Sequence, residues 1–287
     1  AEGSAAASGK FVMIGHYLEA QDSIAAFGDG TAEAKSFTVS FYVKASIATT
    51  YSLHVATSHL STNKAYMKQI TVNNPNVWER KTCTIPAITN SIGTVNASGD
   101  STGLRFHWVL DAPTNTSNQA ADAWFTFAND YGYPSGQGPS GFANTLNATF
   151  ELGGVQIETG SVATDLEHKK FSEEISLCER YFQRIPRNPS DGYGGICNGR
   201  ANNGTTSELI ITFPEMRATP TIASSGNLRI LHGGSAKAVT SGPTLIHGAR
   251  TTAFFSATVA SGLTAGQANQ LTMNNDATAH ITLTAEL

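Results

Sequence analysis

The sequence predicts a mainly β protein that contains a two-sheet sandwich or jelly roll, and three observations lead to this expectation. Short runs with apolar residues at every second position recur along the chain. Turn clusters rich in Asn, Gly, Pro and Ser separate these runs. Only 14% of the residues are charged, against about 25% in an average soluble protein. The many Ser, Thr and Gly residues suit short strands joined by many turns and argue against a mainly helical fold.

Period-two alternation defines the strands of the first region. Ser36–Lys44 is a half-buried strand, because its apolar side chains occupy alternate positions. The further strands predicted in this region are Tyr51–Ala56, Tyr66–Val72, Trp78–Ile85, Leu104–Leu110, Ala123–Phe127 and Ala148–Glu158. Gly153 and Gly154 inside the last of these predict a bulge or a bend. Trp78 and Trp108 lie on strands and are expected to point into the core.

One segment has helical instead of strand periodicity. Apolar residues spaced by four and three positions make a single stripe on a helix over Phe171–Arg184. The stripe consists of Phe171, Ile175, Cys178, Phe182 and Ile185. Ser172 is a candidate N-cap, and Pro186 and Pro189 would end the helix. We expect the stripe to lie on a sheet, with a coiled-coil seam as the alternative that two heptads are too few to establish.

The region after this helix is β-rich and almost uncharged. Its predicted strands are Ser207–Phe213, Thr219–Ala223, Leu228–Leu231, Thr252–Val259 and Ala279–Leu287. From Ile222 to Leu287 the charged residues are Arg229, Lys237, Arg250, Asp276 and Glu286. A sheet with so few charges would aggregate through its edges unless they were paired or covered. We therefore expect the chain to associate with copies of itself.

Charge and cysteine content exclude several classes of protein. The net charge of −4 leaves no basic patch with which to bind a nucleic-acid backbone. No uncharged apolar stretch approaches the roughly 20 residues of a membrane-spanning helix, so we expect no membrane insertion. Cys83, Cys178 and Cys197 form no CxxC pair, so neither a disulfide framework nor a cysteine zinc site is indicated. Cys83 and Cys178 are expected to be small buried hydrophobic residues.

A stretch around the predicted helix carries a family resemblance. Gly154–Arg184, GVQIETGSVATDLEHKKFSEEISLCERYFQR, resembles a signature of bacteriophage tail-fibre and related virion appendage proteins. That signature has a strand GVQLE, then GSxATxFE, a basic stretch, and a helix ending CQRYYQ or CERYF. Elsewhere KSFTVSFYVKAS, VWERKTCTIP, GLRFHWVL, FPEMRATPTIA and the final TAEL are similar to family segments in the same order. The chain departs from the pattern at Tyr42, Asp165 and Leu166, where the family tends to have Trp, Pro and Phe.

The resemblance implies a domain organisation and a set of partners. Residues 1–10 would be a linker or N-terminal tail and residues 11–170 a jelly roll like those of carbohydrate-binding modules. A connecting helix over 171–186 and a second small β-sandwich over 187–287 would follow. Such appendages are usually homotrimers that sit in the virion, contact other tail proteins, and bind a glycan or protein of the host cell surface.

The sequence contains no catalytic constellation with specific spacing. Its eight histidines show no HExxH or HxH pair, and no Walker loop is present. We therefore expect a protein that is not an enzyme and needs no cofactor. A polysaccharide depolymerase with a site between subunits remains an alternative, as does a carbohydrate-binding module of a secreted bacterial or prophage protein.

Two sets of residues are candidate ligand contacts. Jelly rolls of the carbohydrate-binding type often hold a structural calcium ion, for which oxygen ligands are needed. The acids at comparable places are Glu19, Asp22 and Glu151. Sugar binding needs aromatic faces with polar groups nearby. The candidates for it are Trp124, Asp130, Tyr131, Tyr133 and Tyr193, although loop tyrosines also commonly pack down on the sandwich.

Overall fold

The protein consists of two compact units with mainly antiparallel β structure. A computed structural model describes residues 11–28, 31–58, 62–88, 102–112, 119–127, 132–187, 189 and 191–286. The first unit ends at His168 and the second covers Lys169–Glu286. The mainly β expectation is confirmed. The division lies two residues before residue 170, where the sequence predicts the first domain to end.

The first unit is a sandwich of two sheets. Its elements are β1 (Val12–Glu19), α1 (Ala20–Phe27), β2 (Phe37–Ala45), β3 (Thr50–Thr57), β4 (Lys64–Thr71), β5 (Glu79–Ile85), β6 (Thr102–Asp111), β7 (Trp124–Thr126), a short 3-10 helix (Phe142–Asn144) and β8 (Phe150–Thr159). One sheet has the order β1-β6-β3-β4-β7 and the other β5-β2-β8. All described pairs in both sheets are antiparallel.

Aromatic side chains from the two sheets meet in the core of this unit. The rings of Phe41 on β2 and Trp108 on β6 pack edge to face, with centroids 5.5 Å apart. Phe37 and Phe106 make a second such contact at 6.2 Å. The alternation that predicted β2 therefore points its apolar side chains inward, and Trp108 is buried as expected.

Trp78 corrects the sequence prediction for the same sheet. It lies one residue before β5 and is 48% exposed, so it is not a core residue. The Lys44 ammonium group lies 5.7 Å from the centroid of its ring, a distance at which a cation is attracted to the aromatic face. The inward alternation begins only with β5 itself.

The helix α1 is an element that sequence periodicity did not predict. It begins directly after β1 and buries Ala20, Ser23 and Phe27. Gly28 ends it in the left-handed conformation, with φ 66°, and donates its N–H to the Ile24 carbonyl at 2.8 Å. With eight residues, the helix is too short for a helical period to be distinguished from the pattern of the flanking residues.

The predicted bulge in β8 is confirmed. The pairing of β8 with β2 shifts register between Ser40 and Tyr42. Gly154 has φ +55° and a Cβ there would lie 3.1 Å from the Tyr42 ring, so the position favours glycine.

The second unit has a closed barrel and a small separate sheet. Its elements are α2 (Phe171–Glu179), β9 (Phe182–Ile185), β10 (Gly195–Ala201), β11 (Thr206–Thr212), β12 (Thr221–Ser225), β13 (Leu228–His232), β14 (Ser235–Ala249), β15 (Thr252–Val259), β16 (Ala268–Met273) and β17 (His280–Thr284). The barrel has the order β10-β11-β15-β14-β13-β16 and the sheet β12-β17-β9. The second sandwich predicted here is therefore wrong, since β10 pairs with both β11 and β16 and closes the sheet on itself.

The helix α2 is shorter and more exposed than predicted. It ends at Glu179, and Phe182–Ile185 forms β9 against β17 instead of two further helical turns. No residue of α2 is buried, so its stripe does not lie on a sheet, and Cys178 is exposed. Cys83 is buried as expected. Neither described α-helix has the length and hydropathy of a membrane span.

Candidate functional site

Trp124, one of the predicted sugar contacts of the first unit, packs against other parts of that unit. Trp124 on β7 is half-buried, its ring centroid 5.4 Å from that of Tyr66. Its indole N–H donates to the Pro86 carbonyl at 2.9 Å. Trp124 therefore helps attach the outer strand β7 to the sheet. Asp130 and Tyr131 lie outside the described residues.

Tyr133 is packed inside and presents no face to a ligand. It is 1% exposed, and its hydroxyl lies 3.1 Å from the Leu110 carbonyl oxygen and accepts from the Ser140 amide at 3.1 Å. Burial raises the pKa of this hydroxyl to about 12. The prediction that Tyr133 contacts a sugar is wrong, because the polar loop that carries it folds down and buries the ring.

The three acids predicted to hold calcium do not come together. Glu19 is buried at the end of β1, next to α1, and accepts from the Gln21 side chain at 3.0 Å. Asp22 is exposed on α1. Glu151 lies at the start of β8 and forms an ion pair with Lys44 at 2.6 Å. The opposite end of β8 is the one next to α1, because the Thr159 hydroxyl donates to the Ala26 carbonyl there.

The length of β8 separates the acids too far for one ion. Eight residues of strand between Glu151 and Thr159 span about 26 Å. Calcium ligands lie about 2.3–2.6 Å from the ion. The described residues also contain no cluster of three or more His, Cys, Asp or Glu side chains that could hold a metal. The predicted calcium set is therefore wrong as a single site.

Two buried histidines on the outer face of the larger sheet are a feature that sequence motifs did not reveal. His54 on β3 and His107 on β6 are register partners, and both are buried. The Gly132 carbonyl accepts from Ser52 Oγ at 2.9 Å and lies 2.5 Å from His54 Nε2, which therefore acts as a donor. Burial lowers the pKa of each imidazole to about 4.

Tyr193 is the predicted sugar contact that the structure leaves accessible. It is 50% exposed, in the turn before β10. The Arg229 guanidinium carbon lies 4.7 Å from the centroid of its ring, and Arg229 Nε donates to Thr272 Oγ1 at 3.0 Å. One face of the ring is thus held by a cation that is itself held by the barrel.

The backbone around Tyr193 is fixed by a close approach between two turns. Gly192 accepts from the Asp276 amide at 3.1 Å, and a Cβ on Gly192 would lie 2.6 Å from that nitrogen. The Asp276 carboxylate accepts from the amides of Asn227 at 2.8 Å and Thr278 at 2.9 Å. The hydrogen bond from the Thr278 hydroxyl, together with these two amide bonds, holds the pKa of Asp276 at about 2. The Tyr193 turn is therefore a preorganised part of the surface.

A polar pocket of about 170 Å³ is lined by residues of β12, β13 and β14 and by turn residues. Hydroxyl, amide and backbone groups line it, without a charged side chain. The lining residues are Ser224, Gly226, Asn227, Leu228, Ala238, Val239, Thr240, Ser241, Gly242 and Asn274.

Irregular pairing of β14 produces this pocket. The register of β14 against β15 shifts between Val239 and Ser241 and again between Ser241 and Thr244. Such shifts leave strand residues outside the ladder. The Gly242 carbonyl accepts from Ser224 Oγ at 3.3 Å, which links the irregular segment to the end of β12. Gly242 has φ +101°, and a Cβ there would lie 2.8 Å from the Ser256 carbonyl oxygen.

Arg229, which contacts the Tyr193 ring, lies on β13, and β13 pairs with the pocket strand β14. Arg229 is the register partner of Ala238, which lines the pocket. Asn274 also lines it and donates its amide to the Asn227 carbonyl at 2.9 Å. An accessible aromatic face and a pocket of hydroxyl and amide groups together suit a hydroxyl-rich ligand. We call Tyr193, Arg229 and the pocket residues the barrel site.

Comparison with protein-family models and with curated proteins found no match for this chain.

Proposed function

We propose that this chain is a structural protein of a phage virion, the distal part of a tail fibre or similar appendage that recognises the host surface without covalent chemistry. In this proposal the first unit is a jelly roll and the barrel of the second unit holds the glycan site. The segment Gly154–Arg184, with its likeness to tail-fibre proteins, supports the assignment. The ligand is a glycan of the host cell surface.

The barrel site is the observation that carries this proposal. Sugars present C–H faces that stack on aromatic rings and hydroxyls that need polar partners. The Tyr193 ring offers the first, and the hydroxyl and amide groups of the 170 Å³ pocket offer the second. The absence of charged side chains among the pocket residues favours a neutral sugar over an acidic one.

Exposed apolar residues support the proposed homotrimer. Phe171 on α2 is 81% exposed, and Leu177 and Phe182 are about half exposed. Large apolar side chains in such positions are typical of surfaces that associate. Several weak glycan sites on one oligomer would then act together, because linking them raises the effective concentration of each.

Glycan-array binding of the full chain tests the proposal. We expect saturable binding to a neutral glycan, and we expect Tyr193→Ala to weaken it at least tenfold, since stacked aromatics dominate such contacts. Ala238→Trp should block the pocket and abolish binding. Ala236→Trp is the matched control, because Ala236 is exposed on the same face of β14 two residues away and does not line the pocket.

Two further measurements separate this proposal from its alternatives. Light scattering at micromolar concentration should give a trimer, and a stable monomer would favour a detached carbohydrate-binding module. Incubation with host polysaccharide should leave its viscosity unchanged. A fall in viscosity would identify a depolymerase and overturn the non-covalent mechanism.

A further inference from the structure

A second cavity, of apolar character, lies in the first unit between the strands β1 and β8. Its volume is about 430 Å³, within the range of about 300–1,000 Å³ for small-molecule sites. Each of these strands is the outermost strand of its sheet. The cavity is therefore the open side of the sandwich, where the two sheets are not joined. We call it the sandwich cleft.

Side chains from one face of each strand line the sandwich cleft. The strand residues concerned are Ile14, His16, Leu18, Leu152, Val155 and Ile157. Five of these six are aliphatic and none is an acid, a lysine or an arginine. A ligand here must therefore be mainly apolar, because a charged group would lose its hydration without gaining a partner.

The bulge in β8 brings Leu152 and Val155 to the same side of the strand, where both line the cleft. In a regular strand, residues three apart point to opposite faces. Leu152 and Val155 both line the cleft because the bulge at Gly153 and Gly154 adds one residue between them. The glycine required at position 154 by the Tyr42 contact thus also determines which side chains face the cleft.

The cleft is elongated along the strands. Ile14 and Leu18 are four residues apart on β1, a span of about 13 Å. Leu152 and Ile157 mark a similar length on β8. A long, narrow apolar space of this kind suits an extended hydrocarbon chain better than a compact ring system.

One of the residues that line the cleft has a buried polar atom without a partner. Trp108 lines the cleft and is 1% exposed, and its indole N–H has no hydrogen-bond acceptor in the part of the chain that the structure describes. The indole nitrogen can only donate, and buried donors are almost always paired. His16 is the other polar group of the cleft, and burial lowers the pKa of its imidazole.

We propose that the sandwich cleft binds an acyl chain, with the methylene groups between β1 and β8 and the carbonyl oxygen accepting a hydrogen bond from the Trp108 indole N–H. The aliphatic lining, the length of the cleft and the unpaired buried donor each match one part of this ligand. The site is separate from the barrel site and does not depend on the glycan proposal.

Fluorescence titration of the full chain with cis-parinaric acid tests the site. We expect saturable binding of one probe per chain, displaced by dodecanoate. Val155→Trp should weaken binding at least tenfold by filling the cleft. Val77→Trp is the matched control, since Val77 is also an exposed valine of the first unit but lies outside the cleft. Absence of saturable binding, or equal loss in both variants, would overturn the proposal.

Trp108→Phe tests the hydrogen bond separately from the apolar contacts. It should weaken displacement by dodecanamide about fivefold, as expected for the loss of one hydrogen bond, and leave displacement by n-decane unchanged. Equal weakening of displacement by dodecanamide and by n-decane would show that the ligand carbonyl does not accept a hydrogen bond from Trp108. Thermal unfolding followed by circular dichroism confirms that each variant tested is folded.

An experiment with lipid vesicles distinguishes a membrane lipid from a free fatty acid as the source of the bound acyl group. Co-sedimentation with vesicles of phosphatidylcholine and phosphatidylglycerol, lost in Val155→Trp and kept in Val77→Trp, would identify a membrane lipid as the ligand. Binding of free dodecanoate without co-sedimentation would identify a free acyl chain. Failure of both would overturn the site, while glycan binding at the barrel site would be unaffected.

Discussion

The two units of this chain differ in whether their main sheets have free edges, and their cavities differ in polarity. The first unit leaves β1 and β8 as outer strands, so its cleft opens directly onto core-type aliphatic side chains. The second unit closes six strands into a barrel whose interior is filled by residues such as Leu209, Ile230 and Phe255. Its pocket therefore forms on the surface, from strand backbone and short polar side chains. In this chain the open sandwich holds the apolar cavity, and the polar pocket lies beside the closed barrel.

The largest expected effect tests whether the two units have separate cores. Phe41→Ala removes a fully buried ring that packs on Trp108, and should destabilise the first unit by about 3–5 kcal/mol. Phe255→Ala should do the same to the second unit. Hydrogen exchange followed by mass spectrometry reports each unit separately.

The expected result is a crossed pattern. Phe41→Ala should speed exchange in β2, β3 and β6 and leave the barrel strands protected, and Phe255→Ala should do the reverse. Faster exchange throughout the chain in either variant would mean that the two cores unfold as one, and the comparison between the units would lose its basis.

A smaller effect concerns pH and is confined to the first unit. His54 and His107 have a pKa of about 4 in the folded protein, against about 6.5 when unfolded. The unfolded chain therefore binds more protons than the folded chain between these pH values. The contribution of the two neutral histidines to the free energy of unfolding is complete above about pH 6.5 and is lost as the pH falls towards 4. The groups that face them include Arg105, which lowers the pKa of His107 further, and the Tyr17 hydroxyl, 3.4 Å from His107 Nε2.

Denaturant unfolding between pH 7 and pH 4 measures this dependence. The loss for His54 should be on the order of 3 kcal/mol. His54→Asn should reduce the pH dependence of the stability of the first unit and leave the part that His107 contributes, whereas replacement of the exposed His168 by Asn should leave the profile unchanged. A profile that is flat in the unaltered chain would show that neither buried histidine is kept neutral by the fold.

Strong local patterns carried most of the fold prediction. Strict alternation located β2 and β6 to within two residues at each end. β14 was missed, because most of its residues are exposed and its Gly242-Pro243 segment interrupts any period. Phe182 and Ile185 fit a helical stripe as well as a strand, and the choice between them depends on pairing with β17, which is about a hundred residues away.

The candidate sites also differ in whether neighbouring or distant residues determine them. Tyr193 in its Gly-rich turn was recognisable as exposed from its neighbours. Tyr133 was not recognisable as buried, because its hydroxyl partners Leu110 and Ser140 are brought to it by the fold. The polar pocket has no sequence signature, since its shape comes from register shifts of backbone in β14.

A crystal structure of the full chain with a glycan selected from the array tests the central claim most directly. The account predicts sugar density stacked on the Tyr193 ring, with hydroxyl groups bonded inside the pocket between Asn227 and Thr240. Density for the same sugar on the first unit, with the barrel site vacant, would contradict it.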